Sequence, residues 1–173
     1  MIGLFALPFS IQKMGERFFE EVSQAKFDSI NLCMKYHASR HLSIRFDGAM
    51  INTRDGEHFY RPDPKNYSIS GVVPNSDSSA LAQDEVQEWI SLARTYGLKL
   101  GAWSVFLHDS QFGSRFPEAR VRNLFHQSII PNLCVANPIV QSYLKGHTQD
   151  LINLGFSHIA FESIAFGGFR HSE

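Results

Sequence analysis

Polar side chains follow three apolar runs of the sequence at the point where each run ends. They are Lys35, Tyr36, His37, Arg40 and His41 after the first run, His108 and Asp109 after the second, and Glu162 after the third. If these runs are parallel β-strands, their carboxyl ends meet at one edge of a sheet, which is where ligands bind in barrels and open α/β sheets. The sequence therefore predicts that these groups converge on one polar face.

The stretch GFSHIAFESIAF, residues 155–166, places a carboxylate directly after an apolar run. Hydrolysis of a glycosidic bond uses a carboxylic acid that protonates the leaving oxygen, and a second carboxylate that acts as nucleophile or base. Glu162 suits the role of the acid, because apolar neighbours are expected to raise the pKa of its carboxyl group. Those neighbours are Phe161, Ile164 and Phe166.

The remaining strand-end residues suit the binding of a sugar. His37 and His108 offer hydrogen bonds to hydroxyl groups, and Asp109 and Arg61 are expected to line the same pocket. Aromatic rings offer a flat apolar surface on which a sugar ring can stack. The candidates for that stacking are Tyr36, Trp103 and Tyr60.

Each of these residues also has a structural interpretation. A histidine at a strand end can be a hydrogen-bonded spacer, and Asp109 precedes a serine, a pattern that often only begins a turn. Glu162 can cap a neighbouring helix or pair with Lys35 or Arg61. The residue types alone do not decide between these roles.

A metal site is a further alternative, because four of the strand-end residues are of types that hold metal ions in barrel isomerases. They are His37, His108, Asp109 and Glu162. Nothing in their spacing requires a metal, so neither a metal nor another cofactor is predicted. The sequence contains no glycine-rich dinucleotide loop after the first apolar run, no phosphate-binding loop and no nucleophile elbow. The arginines in and beside 116–125 are interrupted by an acid, which predicts a solvated helix face rather than a nucleic-acid patch.

Three helix-to-strand passages position these residues. In 15–37, 85–109 and 137–162, apolar residues at helical spacing are followed by a nearly continuous apolar run, which is typical of parallel strands covered on both faces. A first strand over 2–9, with Ser10 capping the next helix, completes four strands and three helices. The helical stripes are Phe18, Phe19, Val22 and Ala25, then Val86, Trp89, Ile90 and Ala93, then Val140, Tyr143, Leu144, His147 and Leu151.

Helix boundaries are marked by residues with defined conformational preferences. Asn137 is a good N-cap and Pro138 suits the first helical position. Gly97 and Gly155 fit the positions just past the ends of the second and third helices.

Two connections are longer than simple links. Residues 38–79 and 109–136 both follow strands, so both lie at the carboxyl ends of the sheet, where long connections are usually functional. The stretch GVVPNSDSS, residues 71–79, is expected to be a turn-rich approach to a helix.

The length of the chain bears on the fold. A whole (β/α)8 barrel takes about 250 residues, whereas this chain has 173 residues and four predicted strands. We therefore expect an α/β fold of parallel βα units that forms the amino-terminal half of a TIM (β/α)8 barrel, a single partial domain over 1–173 in a truncated chain. Half a barrel leaves open sheet edges and uncovered apolar faces, which predicts self-association.

Composition excludes several classes of function. The net charge of −1 gives no general attraction to nucleic acid or to an anionic membrane, so neither is expected as a partner. Cys33 and Cys134 lie in apolar segments without metal-ligand spacing, and buried reduced thiols favour a cytoplasmic location.

Several segments resemble an uncharacterised bacterial family of glycoside-hydrolase-like barrel proteins. They are NLCMKYHASR, FYRPDPKNYS, GAWSVFLHDS, NLCVANPIVQSYLKGHTQDL and HIAFESIAF. The resemblance covers nearly the whole chain, but only the amino-terminal half of such a protein. It implies a carbohydrate-active barrel in which an acid at the end of the fourth strand is the general acid/base, a position that Glu162 occupies. The nucleophile would come from a later strand, and the His-rich continuation of the family pattern would begin where GFRHSE ends this sequence.

Together these observations predict the amino-terminal part of a hydrolase that cleaves glycosidic bonds in a carbohydrate substrate by carboxylate acid/base catalysis. The part alone is expected to be inactive, because one catalytic carboxylate is absent. Two alternatives stay open: a non-catalytic sugar-binding barrel, and a metal-dependent sugar isomerase or aldolase-type barrel.

Overall fold

The computed structural model describes residues 2–45, 48–56 and 58–165. Its strands are β1 (Gly3–Ala6), β2 (Ser29–Lys35), β3 (Ala38–Arg45), β4 (Gly48–Asp55), β5 (His58–Tyr60), β6 (Ser76–Leu81), β7 (Lys99–Val105), β8 (Arg120–Arg122), β9 (Ser128–Leu133) and β10 (Ile159–Glu162). Its helices are α1 (Pro8–Met14), α2 (Glu16–Gln24), α3 (Gln83–Thr95), α4 (Ser110–Arg115) and α5 (Pro138–Asn153), with 3₁₀ turns at Pro64–Tyr67 and Pro117–Ala119.

Four parallel strands, β1, β2, β7 and β10, are hydrogen-bonded neighbours in the order in which they occur along the chain. A doubly wound sheet reverses direction at a switch point, whereas each new strand here is added on the same side, as in a (β/α)8 barrel. The predicted fold class is confirmed: the chain is an α/β protein of parallel βα units in the order of a partial TIM barrel. Two further strands extend the sheet, since β5 pairs antiparallel with β2 and parallel with β6.

One side of these strands packs against helices. Ile30, Leu32 and Met34 are fully buried in a cluster with apolar residues of α1, α2 and α3. Because side chains alternate along a strand, the residues between them face the other side, which we call the inner face. It carries Phe5, Asn31, Cys33, Trp103 and Glu162, as the pairing of β1, β2, β7 and β10 shows.

The inner face is filled at the end where the strands begin. Nε2 of His158 lies 2.8 Å from Oδ1 of Asn31. A Cβ atom at Gly101 would overlap the His158 ring, so only glycine leaves room for that ring. On the same face, Phe5 of β1 is 57% exposed, whereas Cys33 is fully buried.

The helix boundaries follow the predicted signals where these are strong. Oδ1 of Asn137 accepts a hydrogen bond from the Ile139 amide at 2.9 Å and caps α5, with Pro138 in its first turn. Gly97 and Gly155 lie just past α3 and α5 with φ of 71° and 82°, values that favour glycine.

The first boundary differs from the sequence prediction. β1 ends at Ala6 and α1 begins at Pro8, so the predicted strand over 2–9 is too long, and Leu7 rather than Ser10 is the N-cap. Proline is well suited to the first helical position, because it lacks the amide hydrogen that would have no partner there.

The two long connections contain regular structure that the sequence analysis did not predict. Strands β3 and β4 form a hairpin within 38–79, and β8 and β9 form another within 109–136. The expectation of a turn-rich 71–79 is wrong from Ser76 onwards, where β6 begins. The predicted helix face at 116–125 is also wrong, because Arg120–Arg122 form β8.

A second apolar cluster supports the loops at the carboxyl ends of the strands. Its central residues are Tyr67, Val72, Phe106, Leu107, Phe112, Leu133, Val140 and Tyr143. Cys33 is buried and Cys134 half-buried, and both are free thiols, so the expectation of burial holds fully for Cys33 only. No helix within the described ranges is both long and apolar enough to cross a membrane.

Candidate functional site

Five of the predicted site residues lie together at the carboxyl ends of β2, β7 and β10. Ring-centroid distances are 5.4 Å from Trp103 to Tyr36, 4.1 Å from Tyr36 to His37, and 5.0 Å from His37 to His108. Glu162 joins this row because Nε1–H of Trp103 donates to its Oε2 at 2.9 Å. We call these five residues the rim site. Its geometry places one carboxylate at the end of a row of four rings.

Phe5 extends the row of rings along the inner face. Its ring lies 5.2 Å from that of Trp103 in an edge-to-face arrangement, a geometry that aromatic pairs favour. The sequence analysis missed Phe5, although strand alternation could have indicated it, since Phe5 lies one residue before the end of β1 on the face opposite Leu4 and Ala6.

The surroundings of Glu162 differ from the expectation. Its side chain is exposed, and Phe161 points to the opposite side of the sheet, where its ring packs 4.6 Å from that of Phe106. Ile164 is 56% exposed, and Phe166 lies outside the described residues. The expectation that these three residues enclose Glu162 is therefore not met by Phe161 and Ile164. The hydrogen bond that the structure shows for Glu162 is with Trp103.

The charge of Glu162 acts on groups at the carboxyl end of β2, which is separated from β10 by β7. Burial first, and then the negative charge of Glu162, raise the pKa of the Tyr36 hydroxyl. Burial is also the main reason that the pKa of Cys33 is raised, with a smaller contribution from Glu162. Tyr36 therefore stays a neutral hydroxyl beside the carboxylate and can donate or accept a hydrogen bond.

Asp109 lies behind the rim site in a buried ion pair. Its Oδ2 is 3.0 Å from Nζ of Lys35, and the two side chains are 3% and 0% exposed. The carboxylate also accepts from the hydroxyl of Tyr143 at 3.1 Å and from the amide of Phe112 at 2.8 Å, which caps α4. These contacts favour a structural role, and substrate binding by Asp109 stays a prediction.

Lys35 reaches this position because of an irregularity in β2. The pairing of β2 with β7 shifts between Cys33 and Lys35, which turns Lys35 towards the helices rather than the inner face. Its ammonium group donates to the carbonyls of Val105 and Phe106, both at 2.9 Å, and to Asp109. All three donors of the ammonium group are thereby used, so Glu162 does not take Lys35 as its partner.

Two predicted residues lie apart from the rim site. Arg61 follows β5 and is exposed, and no contact within the described residues connects it to the rim site. Its part in binding stays a prediction. Tyr60, the third candidate for stacking, is 1% exposed and therefore offers no ring surface to a ligand.

A buried polar network surrounds Tyr60. Its hydroxyl lies 2.6 Å from Nδ1 of His147 and donates to Oδ2 of Asp150 at 3.2 Å. The hydroxyl of Tyr67 donates to the same oxygen at 2.6 Å, and the His58 ring lies 4.8 Å from that of His147. The sequence signal for this network was the placement of Tyr143, His147 and Asp150 on one face of α5 among apolar residues.

The metal alternative gains no support from the arrangement of donors. Within the described ranges, no three or more His, Cys, Asp or Glu side chains are placed so that they could hold a metal ion. The ion pair of Asp109 and the hydrogen bond of Glu162 instead direct these two carboxylates towards different partners.

Comparison with known proteins identifies the architecture. No family model matches the chain, and no curated protein matches it. Among solved structures, a hypothetical protein from Ruminiclostridium thermocellum is similar at 15% identity and a TM-score of 0.68, covering 96% of this chain and 78% of that one. At such identity, the likeness shows the fold alone.

Two glycoside hydrolases are also similar in structure. A maltogenic α-amylase from Thermotoga neapolitana matches at 11% identity and a TM-score of 0.57, over 99% of this chain and 41% of that one. A chitobiase from Flavobacterium johnsoniae matches at 16% identity and a TM-score of 0.54, over 92% and 22%. The chain thus spans less than half the length of these glycosidases, and its fold is similar to part of their structures.

Proposed function

We propose that this chain supplies the amino-terminal half of a carbohydrate-active hydrolase barrel, with Glu162 as the general acid that protonates the leaving oxygen. The observation that carries the proposal is the hydrogen bond between Trp103 and Glu162 at the end of a row of rings. A fixed carboxylate beside aromatic faces suits a sugar, whose ring presents both hydroxyl groups and an apolar C–H surface.

The resemblance to a bacterial family of glycoside-hydrolase-like proteins, noted from the sequence, belongs to the same proposal. It is supported by the partial likeness to the maltogenic α-amylase and the chitobiase. Acid catalysis of this kind requires a second carboxylate. Asp109 is poorly suited to that role, because it is buried and paired with Lys35.

Saturation-transfer NMR with neutral oligosaccharides tests the binding part of the proposal. We expect maltose-type or chitobiose-type oligosaccharides to receive saturation from the protein, with the signal lost in Trp103→Ala. Glu88→Gln, which changes an exposed acid of α3 on the other side of the sheet, is the matched control and should bind as the wild type does. Absence of binding to every oligosaccharide in the wild type would contradict the proposal.

Catalysis is tested in a barrel of eight strands that contains this chain. There, Glu162→Gln should reduce hydrolysis of an aryl glycoside by about 10²- to 10⁴-fold, the usual contribution of general acid catalysis. Unchanged hydrolysis would contradict the assignment of Glu162. The sugar-binding alternative predicts instead that the wild type binds oligosaccharides without turnover and that Glu162→Gln still binds them.

We also propose that the chain associates with itself through its uncovered surfaces and acts in the cytoplasm. Self-association is supported by the exposed fractions of Phe5, Phe161 and Ile164, which are 57%, 44% and 56%. Phe5 and Phe161 lie on opposite sides of the sheet, and burial of such exposed apolar side chains by a second copy would be favourable. The cytoplasmic location is supported by the two free thiols.

A further inference from the structure

The sheet of β1, β2, β7 and β10 has two edges with which no strand pairs in the described part of the chain. One is the side of β1 away from β2, and the other is the side of β10 away from β7. β5 pairs with β2 at Lys35, beyond the residues that pair with β1. All four strands run in the same direction, so the two edges also run in the same direction. A strand edge of this kind is a template for pairing with another chain.

The pairing of β10 with β7 identifies the residues that face outwards at one edge. In a parallel pair, alternate residues of a strand direct both backbone polar groups to the same neighbour. The carbonyls of His158 and Glu162 accept hydrogen bonds from the β7 side at 2.9 and 2.8 Å. Ile159 and Phe161 therefore direct their N–H and C=O groups away from β7.

The same alternation identifies the outward-facing residues of β1. The carbonyl of Ile2 accepts hydrogen bonds from the amides of Asp28 and Ser29, at 2.8 and 3.4 Å. Gly3 and Phe5 therefore direct their backbone groups away from β2. Each edge thus offers two residues whose N–H and C=O groups suit a further parallel strand.

Exposed apolar side chains accompany both edges. Ile2 and Phe5 at the edge of β1 are 61% and 57% exposed, and Phe161 and Ile164 at the edge of β10 are 44% and 56% exposed. Water can satisfy the backbone groups of an edge, but it leaves these side chains unburied. Parallel strands occur almost only in sheets that are covered on both faces. The two edges therefore favour another protein strand over solvent.

A second copy of this chain fits both edges at once. A two-fold rotation about an axis along the strands keeps the strand direction, so β10 of each copy meets β1 of the other in parallel. Two sets of four strands make eight, the number that closes a (β/α)8 barrel. An interface of this kind uses the same surface on both copies, so assembly stops at the dimer.

We propose that two copies of this chain pair β1 with β10 at two equivalent seams and form a closed eight-stranded barrel. Glu162 lies on the inner face beside Trp103, so each copy contributes one Glu162 to the shared interior. The second carboxylate that acid catalysis requires is then Glu162 of the second copy. This last step rests on the proposed function, whereas the pairing of the edges does not.

Amide hydrogen exchange of the whole chain, followed by NMR, tests the pairing directly. Pairing at the seams gives partners to the outward-facing amides of Gly3, Phe5, Ile159 and Phe161, so their exchange should slow as the protein concentration rises and dimers form. The reference is the amide of Leu124, a residue that is 91% exposed in the turn between β8 and β9. Its exchange rate should not depend on concentration. Sedimentation velocity should reach a plateau at the dimer.

Two variants of one edge residue separate backbone pairing from apolar contact. Phe161→Pro removes one outward-facing N–H and keeps the hydrogen bonds of β10 to β7, because proline is tolerated where the N–H faces out of an edge strand. Phe161→Ala is the matched control, since it loses the same ring but keeps the amide. The loss occurs at both seams, so the dissociation constant of the dimer should be at least about tenfold higher in Phe161→Pro than in Phe161→Ala.

The inference is overturned if the wild type is monomeric or grows beyond the dimer. It is also overturned if the four amides exchange equally fast at all concentrations, since association would then use the faces of the sheet, or if the two Phe161 variants dimerise equally well. A dimer with four protected amides that does not hydrolyse aryl glycosides supports the pairing and contradicts the catalytic part of the proposed function. Failure of the pairing and failure of the proposed function are therefore distinguished.

Discussion

The indole N–H of Trp103 donates to Oε2 of Glu162 across 2.9 Å, joining β7 to β10 at their carboxyl ends. The bond uses the only polar atom of the indole ring and orients the carboxylate along the inner face. Trp103 is thus a positioning residue for Glu162 as well as a ring that contacts Phe5 and Tyr36. The proposed acid is held by the sheet rather than by a loop.

Replacement of the charge at Glu162 should be detected at Trp103. In Glu162→Gln, the indole Nε1–H proton resonance of Trp103 should move upfield, because a hydrogen bond to a neutral amide is weaker than one to a carboxylate. The measurement is a ¹H–¹⁵N correlation spectrum of wild type and variant.

Trp89 is the reference for this experiment, since it is 8% exposed among the helices on the other side of the sheet. Its indole resonance should not move. Equal shifts of both indole resonances, or no shift of either, would mean that the Trp103–Glu162 bond does not form in solution.

Removal of the charge of Asp109 should strongly destabilise the fold. Asp109→Asn leaves the buried ammonium group of Lys35 without a counter-charge, which typically costs about 3–5 kcal/mol. Urea unfolding gives the free energy of unfolding of wild type and variant. The control is Glu21→Gln, because Glu21 pairs with Arg17 at 2.7 Å on the exposed surface of α2, where such pairs contribute less than about 1 kcal/mol.

The double variant Lys35→Met with Asp109→Leu measures the coupling free energy between Lys35 and Asp109. It should lose less stability than the sum of the two single variants, because no uncompensated charge stays buried. Additive losses would mean that Lys35 and Asp109 do not form a coupled pair.

The fold was predictable because its signals are local and repeated. Continuous apolar runs such as Ile30–Met34, and the cap of α5 at Asn137, reflect burial and backbone hydrogen bonding that each segment carries in its own sequence. The hairpin of β3 and β4 was missed although the sequence signals it: Leu42 and Ile44 alternate with polar residues, and an Asp-Gly pair follows at 47–48, a pattern typical of a hairpin.

The site was predictable as a region but not in its contacts. Strand order brings Tyr36, His108 and Glu162 to one edge whatever their partners are. The burial of Asp109 depends on the shifted pairing of β2 with β7, which turns Lys35 towards α5. A register shift between two strands that are distant in sequence cannot be recognised in the sequence of either strand. For the same reason the network of Tyr60 and His147, 87 residues apart, could not be paired from sequence.

Replacement of Phe5 should reduce the proposed self-association. Phe5→Gln changes a ring that is 57% exposed on the inner face, so less apolar surface remains to be buried between copies. Sedimentation velocity over a range of protein concentrations should show a weaker increase in sedimentation coefficient than in the wild type. Ile69→Gln, at a side chain that is 90% exposed in a turn, should sediment like the wild type; a wild type that is monomeric throughout contradicts the proposal.

Acid should destabilise the fold through His58 and His147. Burial lowers the pKa of both rings, and for each ring a neighbouring positive charge lowers it further. In the unfolded chain both titrate near pH 6.5. As the pH falls from about 7 to about 5.5, the unfolded chain therefore binds protons that the folded chain does not, and the free energy of unfolding decreases, by up to about 2.7 kcal/mol per pH unit for two groups.

Urea unfolding at several pH values measures this slope. His58→Gln should reduce the slope by about half, because only His147 then contributes to the difference in bound protons. Above about pH 7.5 the histidines are neutral in both states, so they add no pH dependence there. His126→Gln, at an exposed position of the turn between β8 and β9, should leave the slope unchanged. A free energy of unfolding that is constant or rises as the pH falls through this range would show that the two rings are protonated as readily in the folded protein as in the unfolded chain.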